Sequence, residues 1–374
     1  MHELTAFRRL LHAHPELSNQ EFATQQRIRD FLANHTAPEP LTIATTGLIY
    51  PFRFGPGPHV LVRVDIDALP ITETNVFEHA STHPGVAHKC GHDGHATIGV
   101  GLVQKLVQEP LKNGSVSVLF QPAEEVGEGA QKVLNDSNFQ TSDFDFALAL
   151  HNIPGEDKNE VLWKHASFTP AVHSLIIRLQ GITSHAAEPL KGINPAYALA
   201  AIIDLAKNLE ETDESHPQFG LITPVYSSLG SKDYGISAGH GEIHFTLRSW
   251  EQQTVDALTE KFLDASKAIA QELQLEISHQ KTAVFASNSN NKKVVNAVVK
   301  SAKHLQLATS EKKHPFPWGE DFGLFTQSIP GAMFGLGAGK DTPPLHNPDY
   351  DYPDDLTPTA IQLFYSTLNE LITA

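Results

Sequence analysis

The densest group of chemically capable side chains is Cys90-Gly91-His92-Asp93-Gly94-His95, set just before a stretch with helical patterning. Thiolate and imidazole in Cys90-x-His92 can reach one metal region from a bent loop, because Gly91 and Gly94 permit close turns. Alone, the same run equally describes a buried free cysteine beside turn histidines. A second group, Phe120-Gln121-Pro122-Ala123-Glu124-Glu125-Val126-Gly127, directly follows an apolar strand. Adjacent carboxylates project differently, so one can hold a metal while its neighbour reaches water as a general base. An acidic cap on the next helix accounts for the same pair. His151 follows Phe146-Ala147-Leu148-Ala149-Leu150, and His346 lies in Pro343-Pro344-Leu345-His346-Asn347-Pro348. Each is an ordinary loop histidine when taken singly. Jointly, candidate ligands at strand and loop junctions fit the edge where an open α/β sheet carries its active site. A Cys90 nucleophile with His92 as base is a competing chemistry, but the extra acids and the distant histidines fit metal binding better.

These groups need elements to hold them. The patterning predicts a helix over 20–33, a strand over 60–67 stopped by Pro70, and a helix over 95–108. A strand over 116–120, a helix over 126–135 and a strand over 144–150 ending at His151 follow. From about 166 to 282 the order becomes strand, helix, strand, strand, helix, strand, the split βαβ arrangement. The first pattern resumes with a helix near 292–304, a loop rich in Pro and Trp, a strand around 332–336 and a helix near 358–372. The expected fold is therefore α/β: a large catalytic domain in two parts, 1–165 and 283–374, interrupted by a smaller inserted domain, 166–282.

Composition narrows the partners. One cysteine in 374 residues rules out an intrachain disulfide and favours a cytoplasmic protein, while 21 histidines invite a search for metal clusters. The 27 Lys and Arg against 43 Asp and Glu give a net charge of -16, which opposes binding to a phosphate backbone. Residues 1–11 read as a short amphipathic helix rather than an export signal, and no long apolar run predicts a membrane span.

In order and in combination, six runs strongly resemble the zinc-dependent amidohydrolase and aminoacylase branch of the M20 metallopeptidase family over nearly the whole chain. They are Leu11-His12-x-His14-Pro15-Glu16-Leu17, Asp65-Ile66-Asp67-Ala68-Leu69-Pro70, Cys90-Gly91-His92-Asp93-x-His95, Gln121-Pro122-Ala123-Glu124-Glu125, Gly319-Glu320-Asp321-Phe322 and Leu345-His346-x-Pro348-x-Tyr350. The resemblance implies two divalent metal ions held by Cys90, His92, Glu125, His151 and His346, with Glu124 as general base. Zinc leads among the metals, with manganese, nickel or cobalt as replacements. Asp67 resembles the family's supporting carboxylate. Asp93 is expected to orient a ligand histidine, and His95 to be a satisfied histidine at the helix start. In the inserted domain, Gly181-Ile182-Thr183-Ser184-His185-Ala186-Ala187-Glu188-Pro189 looks like the lid segment, with His185 supporting oxyanion charge and Arg248 available for a substrate carboxylate.

Two departures stand out. Gly235 occupies the region where the family commonly has an Asn, and Thr183-Ser184 replaces its usual Gly-Gly before the lid histidine. The implied activity is metal-dependent hydrolysis of the amide in small N-acyl amino acids or related acylated metabolites. A dipeptidase and a noncatalytic metal-binding or oligomeric module are the competing readings. A homodimer meeting through the inserted domain is expected from the resemblance.

Overall fold

The computed structural model describes residues 2–373, which divide into two compact units. The larger comprises residues through Phe168, Asn288–Pro315 and the chain from Glu320 onward; the smaller comprises Thr169–Ser287 with Phe316–Gly319. The α/β architecture expected from the patterning is the architecture observed.

The larger unit is built on an 8-stranded sheet whose strands run in the order Leu41–Ile43, Gly47–Arg53, Ser115–Gln121, His59–Asp65, Phe146–Pro154, Gly331–Gly339, Val161–Trp163, Thr309–Glu311. Four central strands are parallel, with Asp65 opposite Gln121, Arg63 opposite Ala149 and Gly335 opposite His151. Val60, Leu61, Val62 and Val64 are all buried, the continuous apolar run of a strand covered on both faces. The parallel register brings His151 level with Asp65 and Gln121, the last residues of their strands, toward one end of the sheet.

Helices cover the sheet. His2–Ala13 buries Leu4, Phe7 and Leu11 along one stripe, while His92–Gln108 is buried nearly all round through Ala96, Ile98, Val100, Leu102 and Val103. Helix Leu356–Thr373 packs Leu363, Phe364 and Leu368 into the same core. The smaller unit has a 4-stranded antiparallel sheet in the order Leu221–Leu229, His240–Ser249, Ala171–Gln180, Glu276–Phe285. Helices Ala196–Leu209 and Gln252–Glu272 pack Ile202 and Phe262 with Leu175, Ile177 and Phe245 of that sheet, in the predicted split βαβ sequence.

Several boundaries move for local physical reasons. Helix His92–Gln108 starts three residues earlier than its apolar pattern, because Gly91 at φ +93° turns the chain sharply into it. A Cβ at Gly91 would fall 2.6 Å from Asn152 Oδ1, so both its conformation and its space demand glycine. Gly94 is not a turn residue: it lies within the helix and leaves room for the ring of Tyr352, which a Cβ would meet at 2.3 Å. The strand carrying His151 runs on to Pro154, placing that histidine inside the sheet. Strand Gly47–Arg53 was hidden by its central proline. Its outer neighbour pairs only with residues 47–49, so Pro51 sits where no outward amide is needed.

Gly94→Ala should lower stability by about 1–3 kcal/mol, the usual cost of overpacking a tight interior. A chemical unfolding midpoint equal to that of the parent protein would contradict the packing described.

Candidate metal centre

Three segments converge at the exit of the parallel strands. Gly91, left-handed at φ +93°, lies between Cys90 and His92, the first residue of the helix. His151 rises from the strand, and the turn after Gln121 carries Glu124 and Glu125. That turn is not a helix cap: the next helix, Gly129–Leu134, begins beyond it. His346 comes from the late loop at φ +66°, where its amide donates to the Lys89 carbonyl at 2.7 Å.

The ligand-capable atoms of Cys90, His92 and His151 lie within 4.8 Å of one another, as do those of Cys90, Glu125 and His346 and those of His92, Glu124 and Glu125. Cys90 belongs to two of these groups, the geometry of two adjoining cation positions. Cys90 Sγ is 3.5 Å from His151 Nε2, and His346 Nε2 is 3.5 Å from Glu125 Oε2. Cys90, His92, Glu124 and His151 are buried, whereas His346 is exposed at 52% and forms the open side.

Supporting contacts set which ring nitrogen faces the centre. His92 Nδ1 donates to the Asp67 carbonyl at 3.0 Å and approaches Asp67 Oδ1 at 3.2 Å, leaving Nε2 as the ligand atom. His151 Nδ1 donates to the carbonyl of Asn152 at 2.9 Å, which likewise leaves Nε2 toward Cys90. Asp67 Oδ2 also accepts from the Ser18 hydroxyl and the Glu125 amide, at 2.7 and 3.0 Å. His95 uses both nitrogens elsewhere: Nδ1 donates to Asp65 at 2.6 Å and Nε2 accepts from the Asn152 amide at 3.3 Å.

Two observations fit a cation here. His92 Nε2 and Glu125 Oε1 are buried with no hydrogen-bond partner, although such atoms in an interior are nearly always satisfied. The charges are also lopsided. Burial, then Glu320 and Glu125, pushes the Glu124 carboxyl well above its ordinary range. Burial, then Glu125 and Glu124, likewise raises the Cys90 thiol. Burial works against charge on His92, but Asp65, Asp67 and Glu125 overcome it and raise this group to about 10. A divalent cation reverses each of these tendencies, and thiolate, imidazole and carboxylate together suit zinc and its borderline neighbours.

Several contributors escaped the sequence reading. Arg63, buried mid-strand, donates to Asp65 Oδ2 at 2.5 Å, Asp321 Oδ1 at 2.9 Å and Gln121 Oε1 at 2.9 Å, and lies 3.0 Å from Glu320 Oε1. The available signal was a single charge inside Val60-Leu61-Val62-Arg63-Val64. Asp93 corrects an expectation: it does not orient a ligand histidine. Its Oδ2 faces the opposite way into a second buried network, 2.8 Å from His12 Nδ1 and 3.2 Å from Arg8. His12 Nε2 lies 3.0 Å from Glu73, which Lys89 also engages. His14 stays outside the centre, 3.2 Å from the Thr82 hydroxyl.

In the smaller unit, His185 is exposed on the short strand Ser184–His185, paired with Ile236–Ser237. Its Nδ1 accepts from the Ala187 amide at 3.0 Å, so the neutral ring carries its proton on Nε2. Gly235 contributes through its main chain, its carbonyl accepting from Ala186 at 2.9 Å. Arg248, within strand His240–Ser249, donates to the carbonyl of Pro317.

Comparison with known proteins agrees with this chemistry. Residues 61–370 match the model of peptidase family M20/M25/M40. N-acetyl-L-cysteine deacetylase of Bacillus subtilis is 29% identical across 99% of this chain and 88% of its own. N-acetyldiaminopimelate deacetylase of Oceanobacillus iheyensis is 32% identical over 93% of each chain. The crystal structure of a dinuclear metal-binding M20 peptidase from Bacillus subtilis superposes with a TM-score of 0.85 at 27% identity, covering 100% of this chain and 98% of that one. The chain belongs to peptidase family M20/M25/M40 and is a metal-dependent amidohydrolase. No described helix is long and apolar enough to cross a membrane.

The second network makes a pH prediction. Burial opposes charge on His12, but Asp93 and Glu73 outweigh it and raise its pKa from 6.5 to about 9. A raised folded-state pKa stabilises fully below the unfolded value and fades as pH climbs through the folded one. The stability gap between the parent protein and His12→Gln should therefore be widest near pH 6 and shrink toward pH 10; a gap that grows with pH would contradict the ion pairing.

Proposed function

We propose that this enzyme hydrolyses the amide bond of small N-acyl amino acids or closely related acylated metabolites, releasing a carboxylic acid and an amine. The observation carrying this reading is the placement of Glu124, a buried carboxylate 3.9 Å from His92 Nε2 and beside both candidate cation groups. In this reading Cys90, His92, Glu125, His151 and His346 hold two divalent ions, zinc foremost. Bound there, the ions supply Lewis acidity toward water and the acyl carbonyl.

The remaining work belongs to side chains. Glu124 accepts the proton of the attacking water at a carboxylate oxygen. The same carboxyl then returns that proton to the departing amine. Asp67 fixes the ring of His92 and, through the Glu125 amide, the turn bearing the base. His185, with its proton on Nε2, donates to the oxyanion as the carbonyl carbon becomes tetrahedral. Arg248 offers a positive charge for a substrate carboxylate. The smaller unit acts as the lid and as the meeting surface of a homodimer. Deacetylase activity on N-acetylated amino acids in the two bacterial relatives supports the substrate class.

Glu124→Gln should lower kcat by about 10²–10⁴-fold while the protein keeps its metal; parent-like turnover would remove the proposed base. His185→Ala should cost about 10²–10³-fold in kcat without changing metal content. Both are read by steady-state kinetics paired with elemental analysis. The substrate panel should contain acetyl, benzoyl and longer acyl amino acids beside dipeptides, and selective dipeptide cleavage would overturn the preferred class. Chelation should abolish turnover and lower Tm together, since the crowded carboxylates then lose their counter-charge; add-back of zinc, manganese, nickel or cobalt identifies the active metal.

A further inference from the structure

The base sits on an awkward piece of backbone. Ala123, immediately before Glu124, is fully buried and left-handed at φ +54°, a conformation unfavourable for a residue with a Cβ. Something must hold it there. Glu21, itself fully buried just before helix Phe22–Ala33, extends a carboxylate to it: Oε1 accepts from the Ala123 amide at 2.8 Å and from the Asn19 amide at 2.9 Å. The second oxygen accepts from the buried Thr46 hydroxyl at 2.7 Å. On the far side of the base, Asp67 Oδ2 accepts from the Glu125 amide at 3.0 Å. The Pro122–Ala123 peptide before the base and the Glu124–Glu125 peptide after it are thus each held by a buried carboxylate.

Capping does not explain Glu21. The amides of Ala23 and Thr24 at the start of the helix are taken by Glu16, at 3.2 and 2.6 Å, and Glu21 makes no capping bond of its own. Its charged neighbour is another carboxylate, Asp67, and among the described residues no cation forms an ion pair with it. A carboxylate in such a place is costly unless its hydrogen bonds do something specific.

We propose that Glu21 is a positioning residue for the reaction: by fixing the Ala123 amide it holds the left-handed turn that aims the Glu124 carboxylate. The proposal rests on Glu124 being the general base. Release of Ala123 from its left-handed conformation rotates the next peptide and shifts the base, and a displacement of about 1 Å is worth up to about 10²-fold in rate.

The test uses the metal-loaded full chain with an N-acyl amino acid that the parent enzyme hydrolyses. Glu21→Ala should lower kcat about 10–100-fold with KM and metal content unchanged, and the Ala123 amide should lose hydrogen-exchange protection. Glu21→Gln, which retains an acceptor oxygen for that amide, should recover most of both. In an Ala123→Gly background, where the left-handed turn is free of strain, removing Glu21 should cost less than in the parent. Full kcat in Glu21→Ala, a fall that tracks metal loss, or equal penalties in both backgrounds each overturn the positioning role. If Glu21→Ala fails to fold, Glu21→Gln decides: near-parent kcat with the amide protected supports the role, and lost kcat with the amide still protected refutes it. Glu124→Gln separates the two readings. Parent-like turnover there removes the base itself, whereas an inactive Glu124→Gln beside a fully active Glu21→Ala removes only the positioning.

Discussion

Asp65, Asp67, Glu124, Glu125, Glu320 and Asp321 crowd around one edge of a parallel sheet, and the fold must reconcile their burial with their mutual repulsion. Each buried charge costs several kcal/mol in lost hydration unless it is paired. Arg63 meets part of that demand by engaging Asp65, Glu320 and Asp321 from the middle of a core strand. Part is met by histidines whose outer nitrogens donate to Asp65 and Asp67. What remains unmet is concentrated on Glu124, Glu125 and Cys90, at the candidate metal centre. The charge imbalance is therefore localised, and a divalent cation is the group that balances it.

This arrangement separates rigidity from reactivity. Arg63 and Gln121 lock Asp321, whose Oδ2 also accepts from the Ala130 amide at 2.8 Å, tying the turn after Glu124 and Glu125 to the late segment of the chain. Behind the helix start, Arg8, His12, Asp93, Glu73 and Lys89 form another alternating chain of charges. Lys89 stands next to Cys90, and its own carbonyl receives the amide of His346. The two networks brace the site from different directions. Candidate ligands contributed by residues 90, 125, 151 and 346 are thus held by contacts distributed over almost the whole larger unit, which places side chains more accurately than any one loop could.

The legible parts of the sequence were those governed by short-range pattern. Val60-Leu61-Val62 announces a buried strand, and the alternation of strand and helix announces the α/β class. The split βαβ order of the insertion follows from the same periodicities. Chemical identity was also local: a thiol, imidazoles and paired carboxylates specify borderline-metal chemistry wherever they meet. Less legible were features whose partners lie far along the chain. Asp93 looks, in Cys90-Gly91-His92-Asp93, like a companion of the adjacent histidine. Helical geometry sends its side chain away from the ligand side, to residues 81 and 85 positions earlier.

Residue type and local periodicity thus determined the fold class and pointed to metal chemistry, because these depend on neighbours within a turn or a strand, while the ligand set came from the resemblance of the ordered motifs to a family. Tertiary structure alone decided the roles of Arg63 and Glu21, the direction of Asp93 and the ring nitrogens left for a metal. It also decided that Gly94 is a packing glycine, since its constraint is the distant ring of Tyr352. The physical reason is that burial and hydrogen-bond satisfaction are settled between segments. A carboxylate near the start of the chain acquires its function only when folding brings it against an amide a hundred residues away.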